Sequence, residues 1–107
     1  MPTPIVLGEF EQLVMLCMLQ LGEGAHALEL RARVSTAAGR SVGRGALYRT
    51  LDRLEDKGWI DWRVEESGPD RGGHARRRFR VTRRGVAALR ASRTMLEDLW
   101  SGLEVLG

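Results

Sequence analysis

The feature that most narrows the fold is a change of hydrophobic period at Gly58. Before it, Leu47, Leu51 and Leu54 recur at spacings of four and three, the repeat of a helix anchored by one narrow stripe. After it, Ile60, Trp62 and Val64 alternate with Asp61 and Arg63, the repeat of a strand with one covered face. A chain that passes from helix to strand across one glycine packs that helix beside a small sheet.

The flanking segments extend this pattern. Between residues 9 and 21, Phe10, Leu13, Val14, Cys17 and Leu21 follow helical spacing, and Met15, Leu16, Met18 and Leu19 carry the apolar surface around most of the cylinder. Such a helix is central or shared between subunits. A second helix is expected over about residues 26–38, with Leu28, Val34 and Ala38 inward and Gly39 ending it. The third covers about 43–57. A Gly- and Pro-rich loop over 65–75 leads to a second strand over 76–81, with Phe79 and Val81 inward and Arg76, Arg78 and Arg80 outward. Thr82 then caps a final helix expected to run to about Leu106. On it Leu89, Leu96 and Leu103 share one heptad position and Ser92, Leu99 and Leu106 the other, widened by Met95 and Trp100. Residues 1–7 read as an extended arm.

Three helices, a strand, a basic strand and a last helix make a winged helix, mostly α with a small β-hairpin. The expected division is a winged-helix DNA-binding domain with its arm over residues 1–82, followed by a dimerisation helix over 83–107.

Charge points the same way. The 107 residues carry a net charge of only +3, yet Lys57 is the sole lysine and the other cations are arginines. No acid interrupts the stretch between Leu30 and Leu51, nor that between Arg71 and Leu96. Arginine's planar fork suits phosphates and guanine edges, so this clustering favours nucleic acid over an acidic protein partner. The plainer alternative is a solvated arginine-rich surface.

Three stretches resemble the PadR-like transcriptional regulators over nearly the whole chain, from Leu7 to about Leu103. They are Leu7-Gly8-Glu9-Phe10-Glu11-Gln12-Leu13-Val14, the run from Gly45-Ala46-Leu47-Tyr48-Arg49 to Asp56-Lys57-Gly58, and Arg71-Gly72-Gly73 with Arg78-Phe79-Arg80-Val81-Thr82 and Gly85. The resemblance implies a dimeric repressor of the subtype with a short, single C-terminal helix. It also implies that a flat aromatic effector can lodge between the last helices, where Met15, Met18, Met95 and Trp100 would line the space. Packed dimer core is the alternative for Trp100. The chain departs from the family pattern at Gly43, where relatives have a side-chain cap, at Ala25-His26-Ala27, which replaces an aromatic followed by glycine, and at Arg83, which replaces a proline.

The residues expected to meet DNA are Arg44, Gly45, Tyr48, Arg49 and Arg53 on the third helix and Arg76, Arg78 and Arg80 on the wing. Arg49 suits a base edge and Arg44 a phosphate. Tyr48 either bonds a phosphate or covers the wing base from the core side. Dimerisation is expected through Leu89, Leu96, Leu99, Trp100 and Leu103. Cys17, within the most apolar helix, reads as a small core residue, His74 as a loop residue, and His26 has no partner at ligand spacing. No phosphate loop, nucleophile-base pair or paired carboxylates are present, so neither an enzyme nor a cofactor or metal is expected. A single cysteine and no long apolar run suggest a cytoplasmic protein outside the membrane. The rival function is a winged-helix protein-interaction module whose last helix docks a partner.

Overall fold

The computed structural model describes residues 7–22, 24–65 and 76–106. The N-terminal arm over residues 1–6 and the wing loop over 66–75, with Arg71-Gly72-Gly73 and His74, lie outside the described residues.

Helix α1 (Glu9–Leu21) starts where the Gly8 amide donates to Glu11 Oε1 at 3.2 Å, and it ends at Gly22. It buries Val14, Met15, Cys17 and Met18 in the centre of the core. Strand β1 (Ala25–His26) leads directly into α2 (Ala27–Ala38), which buries Leu30 and Val34. Helix α3 (Arg44–Asp56) buries Leu47, Thr50, Leu51 and Leu54 along one side. Strands β2 (Ile60–Glu65) and β3 (Arg76–Val81) follow, then α4 (Arg83–Trp100). The sheet is antiparallel in the order β1-β3-β2, with Trp62 opposite Phe79, Arg63 opposite Arg78 and His26 opposite Arg78 on the other edge.

Thr82 joins the wing to the helices. Its amide donates to the Trp59 carbonyl at 2.9 Å, its hydroxyl donates to the Gly58 carbonyl at 2.7 Å, and the same oxygen accepts from the Gly85 amide at 3.1 Å. A Cβ on Gly85 would lie 2.1 Å from the Trp59 carbonyl oxygen. Glycine there lets α4 rest directly on the corner between α3 and β2.

Five expectations change. Residues 25 and 26 form a third strand, where His26 was expected to open a helix; two residues are too few to display a period, and the pairing of Ala25 with Phe79 makes the strand. Leu28 is exposed, and Leu30 takes its inward place. Val64 shares the face of Ile60 and Trp62 but is also exposed, because the sheet outruns the helices that cover it. The last helix stops at Trp100, since Ser101 leaves helical geometry and Gly102 turns at φ 84°; a short 3-10 turn (Glu104–Leu106) follows. Leu103 and Leu106 therefore fall outside the helical seam. Leu89, assigned to the dimer, is buried in its own chain with Gly85, Ala88 and Ser92, leaving the exposed Leu96, Leu99 and Trp100 on the outer half of α4.

Candidate nucleic-acid interface

Helix α3 has a core side and a solvent side. Leu47, Thr50, Leu51 and Leu54 hold it down, which leaves Arg44, Gly45, Tyr48, Arg49, Asp52 and Arg53 outward. A Cβ on Gly45 would come within 3.2 Å of an Arg49 guanidinium nitrogen, so the missing side chain is what lets Arg49 fold back along the helix. Among the described residues no hydrogen bond or ion pair engages Arg44 or Arg49. Arg53 donates to Thr50 Oγ1 at 3.1 Å and stays on its own helix.

Tyr48 and Asp52 form one wall of an open cleft of about 730 Å³ whose other walls are Arg76 and Arg77 of β3 and His26 and Leu28. Tyr48 thus lies half-exposed in this cleft, with its ring outside the buried core. The Arg77 guanidinium lies 4.4 Å from the centre of the Trp62 ring, whose indole N–H donates to Glu55 Oε2 at 2.9 Å. Sequence periodicity pointed Arg77 inward and so missed it; it shares the inner sheet face but sits beyond the core.

Arg78 and Arg80 behave differently from the expectation of a free basic face. Arg80 meets Asp61 with two bonds, Nε to Oδ1 at 2.6 Å and the terminal nitrogen to Oδ2 at 3.2 Å. Arg78 donates to Glu65 Oε1 at 2.7 Å and to the Gly24 carbonyl at 3.3 Å. With Arg63 these two line a separate groove beside Gly22, Gly24 and Val81. The Glu65 carboxyl is pulled from 4.5 to about 2, first by the bond from Arg78 and then by one from His26. Each guanidinium is in turn held more firmly protonated by its carboxylate. Cross-strand acids explain the difference, and a run such as Arg-Arg-Arg-Phe-Arg does not reveal them.

His26 has partners after all. Nδ1 lies 2.7 Å from Glu29 Oε1 and Nε2 lies 2.7 Å from Glu65 Oε2. The two carboxylates sit on opposite sides of the ring and do not converge on one point; among the described residues no cluster could hold a metal ion.

The model of the transcriptional regulator PadR-like family matches residues 15–91, well over half of the chain. The chain belongs to the PadR-like family. No curated protein matches it. Solved PadR-like regulators share the fold: one from Bacteroides fragilis at 23% identity and TM-score 0.69, covering 91% of this chain and 92% of that one. Another, from Eggerthella lenta, is 27% identical with TM-score 0.66, covering 89% of this chain and 80% of that one. A third, from Bacillus cereus, is 19% identical with TM-score 0.70, covering 90% and 88%. This PadR-like protein is a DNA-binding transcriptional regulator, and its family is one of regulators rather than enzymes. Among the described residues no helix is long and apolar enough to cross a membrane.

In this PadR-like chain a second groove, of about 460 Å³, runs between α1 and α4 and is lined by Leu16, Leu19, Val86, Leu96 and Trp100, with Arg93 and Glu97 at the rim. The methionines do not join Trp100 there. Met15 and Met18 point into the core at 0% and 1% exposure, and Met95 faces another side of α4 beside Ala91 and Leu99. Periodicity could not separate these, because α1 is apolar nearly all round and its outward residues prove to be Leu16 and Leu19. Cys17 is buried, and burial pushes its thiol up while Arg33 acts the other way.

Proposed function

We propose that this PadR-like regulator is a homodimeric repressor that reads an inverted-repeat operator with α3 and the wing and is released by an aromatic effector. The carrying observation is the exposed pair Arg44 and Arg49, which no partner among the described residues holds, on a helix whose opposite side is anchored in the core. Arg49 reads a guanine edge with its two-pronged guanidinium, Gly45 permits close approach, and Arg44, Tyr48 and Arg53 bind phosphates. On the wing, Arg76 and Arg77 contact the backbone from across the cleft, while Arg78 and Arg80 hold the strands in place.

A second copy of the chain covers the groove between α1 and α4. Leu16, Leu19, Leu96 and Trp100 supply its apolar floor. The rim carries both signs, Arg90 and Arg93 with Glu97, so the surface is self-complementary across a two-fold axis. Such a dimer presents two α3 helices to half-sites spaced by roughly 34 to 36 Å. The effector lodges against Trp100 at the closed groove.

The test is fluorescence anisotropy with DNA from upstream of the protein's own coding region and with a shuffled duplex, at about 150 mM salt. A preference of at least ~10³ supports the reading. Equal binding overturns it in favour of a protein-interaction module. Sedimentation equilibrium of the wild type and of Leu96→Ala/Trp100→Ala tests the dimer.

A further inference from the structure

We propose that His26 is a positioning residue for the wing and that the proton it carries makes DNA binding depend on pH. The inference rests on the DNA-binding reading of the cleft between α3 and the wing, and it concerns a residue that departs from the family pattern.

His26 stands where three elements meet. It is the last residue of β1, it precedes α2, and its ring touches Glu29 of α2 and Glu65 at the end of β2, both at 2.7 Å. A carboxylate only accepts, so satisfying both contacts requires a proton on each ring nitrogen. In that doubly protonated form the ring ties the start of α2 to the far strand of the wing. Glu65 passes the restraint to Arg78 on β3, whose stem lies across Gly24. Gly24 has φ 69°, and a Cβ there would sit 2.7 Å from Arg78 Cδ, so this packing depends on glycine.

A neutral ring has one N–H. On losing its proton, His26 turns a lone pair toward a carboxylate oxygen at hydrogen-bond distance, and either Glu29 or Glu65 must leave. The cleft shared with Tyr48, Arg76 and Arg77 also loses one positive charge. The charged and titratable groups around the ring are Glu29 on α2, Arg63 and Glu65 on β2, Arg76, Arg77 and Arg78 on β3, and Tyr48 and Asp52 across the cleft on α3. DNA adds phosphates to that cleft and favours the charged ring. Binding then takes up a proton, and affinity rises as pH falls.

The experiment uses the full chain and a random-sequence duplex at about 50 mM salt, where phosphate contacts dominate. Anisotropy is read from about pH 5.5 to 8.5, the range in which imidazoles change charge. NMR follows the His26 ring and the Glu65 and Arg78 amides of the free protein over the same range. The wild type should lose roughly three- to tenfold in affinity as the His26 ring signals move, with a slope no steeper than about tenfold per pH unit for one proton. His74→Gln, the control for the chain's other histidine, should keep this dependence. His26→Gln should remain folded by circular dichroism and lose the dependence. An unchanged slope in His26→Gln, or Glu65 and Arg78 amides that stay still while His26 titrates, overturns the proposal. Absence of binding to any duplex instead overturns the DNA reading of the cleft, and the free-protein titration then decides the wing tie alone.

Discussion

The amino-terminal half of α3 and the strand β3 are both rich in arginine, and they use it in opposite ways. Among the described residues Arg44 and Arg49 have no partner, whereas Arg78 and Arg80 are held by Glu65 and Asp61 across the sheet. On α3 Asp52 stands one turn beyond Arg49, yet among the described residues no acid pairs with either guanidinium, so both stay available to a ligand. On a paired strand, the neighbour's side chains stand close enough to neutralise residues such as Arg78 and Arg80. Arg77 escapes because the cross-strand residue near it is the Trp62 ring rather than a carboxylate. Arginine density alone is thus a poor guide to which guanidinium groups are open to a ligand.

The strongest perturbation removes the platform that both regions share. Gly85→Ala forces a Cβ onto the Trp59 carbonyl and should lower stability by about 3 kcal/mol or more, seen as a large fall in melting temperature. Arg49→Ala should then separate the two regions, costing roughly 10- to 100-fold in preference for the operator over shuffled DNA at unchanged stability. Equal losses on both duplexes would remove its base-reading role.

Acid should act on the wing before the helices. The Glu65 carboxyl titrates near 2 in the folded chain against an ordinary 4.5, so its stabilising effect is complete above 4.5 and is lost as pH falls toward 2. Amide exchange in β2 and β3 should quicken over that window in the wild type and much less in Glu65→Gln. The smallest effect is expected for Arg80→Ala. If Asp61 already occupies this guanidinium, the slope of DNA affinity against salt should stay the same, whereas Arg76→Ala should reduce it by about 0.9. Equal changes in the two variants would dissolve the contrast between Arg80, held by Asp61, and Arg76 on the same strand.

The order of elements was legible in the sequence because each long element carries its own period. Leu47, Leu51 and Leu54 placed α3 and its outward face, and Phe79 and Val81 placed β3, before any contact was known. The segment over 25–26 was not legible, being too short to have a period. Nor was the end of α4, where Gly102 rather than the leucine spacing decides. Met15 and Met18 lay beyond reach for another reason, since on a helix apolar all round only packing selects the face.

Local spacing and composition by themselves determined a winged helix with an arginine-bearing third helix. The tertiary structure alone decided which arginines are free, which methionines are buried, and that His26 meets Glu65 across 39 positions of sequence. Hydrophobic period is a property of neighbouring residues and survives in the sequence. An ion pair or a stacked ring depends on strand register and on which elements meet, and that pairing exists only once the chain has folded.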